Sequence, residues 1–214
     1  MMRRSFLMAG LVVFFAFNQG LFAPIAYSQT AQEAQGQEPG ADFKKAHESF
    51  IKKDFKASSA EIRNSADFLK KEAASAGDKG KKMLTASAQE LDKLADSVEK
   101  GAVKSDKELK DAFSRSEHAV ANNYYVKATD SWSRKETKET GEALNSAAEH
   151  MEQAAYWSGH KLKAGASKAI KEGRDISDKL VEGTGYVTEE VRKGLKDMGD
   201  AISGFGKKLL PEKK

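Results

Sequence analysis

Shifted by 82 positions, the chain falls on itself without a gap. Phe43 to Ala73 reads FKKAHESFIKKDFKASSAEIRNSADFLKKEA, and Tyr125 to Ala155 reads YVKATDSWSRKETKETGEALNSAAEHMEQAA. Phe43 pairs with Tyr125, Ala46 with Ala128, Phe50 with Trp132, Asp54 with Glu136, Ile62 with Leu144, Leu69 with Met151 and Ala73 with Ala155. The same shift places Leu94 on Ile176, Val98 on Leu180, Gly101 on Gly183, Leu109 on Val191 and Phe113 on Leu195. Apolar positions and helix breakers recur together, which predicts stacked helical hairpins rather than a fold built around an enzyme pocket.

The apolar positions recur at three- and four-residue steps, the period of a helix, and strand-like alternation is missing. The expected fold class is therefore all-α: an elongated helical bundle or stack of hairpins from two related units of about 82 residues, without a sheet. Phe43, His47, Phe50 and Ile51 share one face of a first helix, and Asp54 caps a second that buries Phe55, Ile62 and Leu69. Gly77 opens a third, with Leu84, Leu91, Leu94 and Val98 facing in and Gly101 ending it. Ser105 and Glu108 have the spacing of a capping box at the head of a long fourth helix. That helix is apolar on two faces, Leu109, Phe113 and Val120 on one and Tyr125, Ala128 and Trp132 on the other, so it belongs between the two copies. The units run over 42–123 and 124–209 and share this helix, with 210–214 a flexible tail.

The N-terminus reads as an export signal over 1–28: Arg3 and Arg4, an apolar run from Phe6 to Phe17, and Ala26-Tyr27-Ser28 before a cleavage site at Gln29. Residues 29–41 are polar, Gln-rich and patternless, as expected of a disordered leader. The expected location is periplasmic or secreted. The alternative is an inner-membrane anchor left uncleaved over 6–27, although a span needs about 20 apolar residues. Removal of the two arginines lowers the net charge from +4 to +2, a near-balance unlike that of a nucleic-acid binder. The chain has no cysteine, which excludes thiolate metal sites, thioether-linked haem, lipoprotein attachment and a cysteine nucleophile.

Little else carries chemistry. No nucleophile elbow, P-loop or dinucleotide fingerprint is present, and the acidic residues stand beside lysines on what read as solvated faces. The expectation is a protein that is not an enzyme and carries no cofactor. His47, His118, His150 and His160 have no Asp, Glu or His three or four residues away, so no helical metal-ligand pair is set up. His118, Tyr125 and Trp132 recur at seven-residue steps, and His150 and Trp157 repeat the theme one helix later. These five are a candidate cluster with three readings: an aromatic core with polar tips, a pH sensor, or a small-ligand pocket. The last helix carries a narrow stripe of Val187, Val191, Leu195, Met198, Ile202, Phe205 and Leu209 flanked by lysines. It either packs inward as the fourth helix of the second copy or docks on a membrane surface or a partner.

The Phe43–Ala73 hairpin resembles a tetratricopeptide helical hairpin, with small residues at Ala46 and Ser59 and large apolar ones at Phe43, Phe50 and Ile62. It lacks that motif's closing proline, and the repeating unit of about 82 residues is longer than that motif's roughly 34. The run AHESFIKKDFKASSAEIRNSADFL also resembles the hairpins of YfdX-type exported bacterial stress proteins. That resemblance implies an all-helical exported protein with chaperone-like behaviour and a protein client. The functional expectation is accordingly a helical binding protein of envelope stress. The alternatives are a structural protein docked on a membrane surface by its last helix, and a metal or small-ligand carrier using buried histidines.

Overall fold

The structure, a computed structural model, describes residues 39–209. The signal segment, residues 29–38 of the leader and the 210–214 tail lie outside the described residues. Seven helices make up the fold: α1 (Pro39–Ile51), α2 (Phe55–Ser75), α3 (Asp78–Glu99), α4 (Asp106–Ser133), α5 (Thr137–Ser158), α6 (Ala164–Glu182) and α7 (Thr188–Leu209), with no strand among the described residues. The all-α expectation holds, and the doubling is visible in backbone geometry.

Two helix-ending motifs recur 82 residues apart. α1 and α4 both end on a lysine with positive φ, Lys53 and Lys135, each at 62°. Each lysine N–H donates three residues back and the next N–H five back: Lys53 to Phe50 and Asp54 to Ser49, Lys135 to Trp132 and Glu136 to Ser131. This is a Schellman closure, which uses up carbonyls that the helix end leaves open. The second pair is Gly101 and Gly183, again with bonds three and five residues back. Here the glycine is expected, since an L side chain in the left-handed region costs roughly 1–2 kcal/mol. At the lysines the following helix start over-determines the turn. Asp54 caps α2 by accepting from Ala57 N–H at 3.0 Å, whereas its counterpart Glu136 makes no cap bond.

Three sequence expectations need correction. α1 begins at Pro39, inside the stretch read as leader, because proline at the first helical position needs no N–H partner. Ile51 is exposed rather than on the buried face, since only Phe43 and Ala46 of α1 are fully enclosed on its inner side. Ser105 stands at the N-cap of α4 but its hydroxyl makes no cap bond; the neighbouring Asp106 carboxylate instead engages Lys110 and His47.

The core has two halves joined through α4. One gathers Phe43, Ile62, Leu69, Leu84, Leu91, Leu109, Phe113 and Trp157. The other gathers Ala128, Leu144, Met151, Ile176, Leu180, Val191, Leu195 and Met198. Burying each large apolar side chain contributes about 1.5–3 kcal/mol, and α4 is long because its first half serves one cluster and its second half the other. The glycines of the last third mark close helix approaches: a Cβ on Gly194 would lie 2.2 Å from Ile176 Cδ1, and one on Gly173 would lie 2.7 Å from Met198 Cε.

Candidate functional site

α3 and α7 both run antiparallel to α4 and flank it. α3 meets α4 at Gly80 beside Asn123 and at Glu90, which pairs with Arg115. α7 meets α4 at Ile202, whose carbonyl accepts from His118 Nε2–H at 2.9 Å, and at Gly199 against Tyr125. Glycine allows that approach: a Cβ at Gly199 would lie 2.4 Å from Tyr125 Oη, and one at Gly206 would lie 2.6 Å from His118 Cε1. The result is a trough of about 710 Å³ with α4 as floor and α3 and α7 as walls.

The floor of the trough is His118, Ala119, Asn122 and Tyr125; Met83 and Ala86 come from α3, Gly199 and Ser203 from α7. Asn122 is 93 % enclosed (relative exposure 7 %), and its Nδ2 has no hydrogen-bond partner among the described residues. That nitrogen is itself closed off from solvent, and a buried amide donor without an acceptor costs about 1–3 kcal/mol. Burial depresses the basicity of His118, and the Ile202 carbonyl opposes this only in part. A carbonyl can only accept, so the neutral ring carries its proton on Nε2. Tyr125 is held above its ordinary phenol value by burial and then by the Asp200 carboxylate. A second cleft of about 470 Å³ lies between α6 and α7, walled by Ala166, Ala169, Gly204 and Phe205 with salt-bridging side chains at its edge; none of the histidines reaches it.

The five candidate cluster residues do not come together. His118 and Tyr125 line the trough, and Trp132 stands edge-on to Tyr186, ring centres 6.3 Å apart. His150 and Trp157 lie on the opposite side of α4, as a 28-residue helix packed on two faces requires. His150 Nδ1–H donates to Glu117 Oε2 at 2.6 Å, its ring stacked on Tyr124 at 5.6 Å. Trp157 packs edge-on against Phe113 and His47. Neither the trough nor the α6–α7 cleft is lined by Glu117 or His150.

The sequence expectation puts the acidic residues on solvated faces, and Glu117 departs from it. It is fully buried, and so, nearly, is Asp42, whose carboxyl is pushed up by burial and by neighbouring Glu61. The signal for Glu117 is present: it follows Phe113 by four residues and precedes Val120 by three, a carboxylate in line with an apolar stripe.

The α7 stripe is not a free surface. Val191, Leu195, Met198, Ile202 and Phe205 are buried against α4 and α6; Leu209 is half-buried, and only Val187, 62 % exposed, faces out. Membrane or partner docking through this face is therefore corrected to inward packing, because the stripe completes the second core cluster. No described helix is long and apolar enough to cross a membrane, and no group of three or more His, Asp or Glu side chains able to hold a metal ion occurs among the described residues. Comparison with family models, curated proteins and solved structures finds no match.

Proposed function

We propose that this is an exported helical binding protein, chaperone-like in action, that holds a protein client non-covalently in the trough between α3 and α7. The observation that carries this reading is the trough itself: a concave, largely apolar channel with an uncharged histidine and a tyrosine in its floor. Sites of this make-up bind through apolar contact and use a few polar groups for orientation. The N-terminal sequence supports export, and the resemblance to tetratricopeptide hairpins and exported stress proteins supports a protein as the bound species.

The test is suppression of aggregation of chemically denatured citrate synthase by the full-length chain, at neutral and mildly acidic pH. Ala86 and Ser203 are exposed positions of the two walls, so Ala86→Trp/Ser203→Trp fills the trough without entering the core. The parent should suppress aggregation and the filled variant should not. No suppression by the parent, or equal suppression by both, removes the trough as the working site.

A further inference from the structure

The repeat indicates what the trough is shaped to hold. α7 stands in the second unit where the first half of α4 stands in the first, since both begin 82 residues apart, at Asp106 and Thr188. In the first unit α5 covers one face of α4: Ser114 Oγ–H donates to the Ala154 carbonyl at 2.7 Å, and Glu117 accepts from His150. The counterparts of Ser114 and Glu117 on α7, 82 positions on, are Lys196 and Gly199, and both line the trough. No described helix after α7 is there to cover them. Gly199 is partly covered by Tyr125 of α4 and Lys196 is exposed, so the face that receives a helix in the first copy is only partly covered in the second.

We infer that the occupant of the trough is an amphipathic α-helix of a partner protein, with a small-residue face turned in and carboxylates along its edges. This rests on the binding reading above and narrows it to one class of partner. The dimensions agree. Along the floor from Arg115 to Tyr125 the trough follows α4 for roughly 15 Å, at about 1.5 Å per residue, room for nearly three turns of a guest. Ala86 and Ser203, small and exposed on the two walls, let a helix backbone approach closely. Charge sets the sign. Arg115 is neutralised by Glu90 and Lys196 by Asp200, whereas Lys79 and Lys207 line the trough without an ion pair among the described residues. Two uncompensated ammonium groups favour an acidic guest.

The probe is a labelled synthetic peptide of this chain's own α5 sequence, TKETGEALNSAAEHMEQAAYWS. It has an alanine-rich face, and four glutamates against one lysine give it a net charge of −3. Titrated into the full-length chain, it should bind saturably, gain helix by circular dichroism, and weaken as salt rises. Lys79→Glu/Lys207→Glu, which leaves the trough open, should weaken binding by about tenfold or more. Ala86→Trp/Ser203→Trp should abolish it, and both variants should keep the parent's far-UV spectrum and melting temperature. Absence of saturable binding, or binding indifferent to both variants, overturns the helical occupant. Dodecanoate separates the two readings. If it binds, and the filled variant blocks both it and citrate synthase protection while the peptide stays unbound, the trough is a binding site for something other than a helix. If the filled variant changes none of the three, both readings fall.

Discussion

Gly141 of α5 sits where α6 crosses it, and its substitution tests the packing directly. A Cβ there would lie 2.7 Å from the Ser177 backbone oxygen, 2.9 Å from Val181 Cγ2 and 3.1 Å from Leu180 Cβ. Contact with a backbone oxygen cannot be relieved by a rotamer change, so the two helices must separate by several tenths of an ångström. Overpacking of this kind costs about 1–3 kcal/mol. The separation also strains the buried hydrogen bond from Ser177 Oγ–H to the Gly141 carbonyl, 2.7 Å long and contributing about 1 kcal/mol. Against this, alanine in a helix is favoured over glycine by about 1 kcal/mol. Gly141→Ala should therefore destabilise by roughly 1–3 kcal/mol, which lowers the melting temperature by about 2–4 °C per kcal/mol in a domain of this size. Gly204→Ala is the control, because nothing lies within 4 Å of its Cβ. There the propensity term stands alone and the variant should gain up to about 1 kcal/mol. Ser177→Ala should not rescue Gly141→Ala, since the offending atom belongs to the backbone. The assay is urea and thermal unfolding followed by circular dichroism at 222 nm, the helical band. Equal shifts for Gly141→Ala and Gly204→Ala, or rescue by Ser177→Ala, would refute the close approach of α5 and α6.

The buried Glu117–His150 pair gives a second prediction: His150→Leu alone should destabilise by about 3–5 kcal/mol because it removes the ring N–H that the buried Glu117 carboxylate accepts. Glu117→Met/His150→Phe, which places at 150 the residue of the equivalent position Phe68, should recover most of that loss in urea unfolding; a double variant no better than the single one contradicts it. A third concerns pH. The folded state holds His118 below its ordinary value of 6.5, so below that pH the unfolded chain binds the proton more readily and stability falls; above it the effect vanishes. His118→Gln should flatten this part of the stability–pH curve, and an unchanged slope between neutral and mildly acidic pH would show that His118 is not its source.

The trough became visible only with α4 in place. The seven-residue spacing of His118 and Tyr125 puts them on one face of a helix whatever the fold. What faced them was not readable, because spacing along one helix says nothing about which neighbour crosses it. Trp132 against Tyr186 and His150 against Glu117 are relations between residues 33 or more positions apart in the chain. Glu117 was passed over for a related reason: an acidic residue among many lysines looks solvated until the helix opposite it is known.

Residue order alone determined the helical period, the doubling at 82 positions, and the turns that end each copy's helices, since these depend on local steric and hydrogen-bonding preferences within a few residues. It also determined that the α7 stripe had to be covered by something. Tertiary structure decided what covers it, turning an apparent docking face into core, and left Lys196 beside it exposed in the trough wall. The division has one physical origin: backbone dihedrals answer to near neighbours, whereas burial is a competition among all the surfaces the chain can bring together.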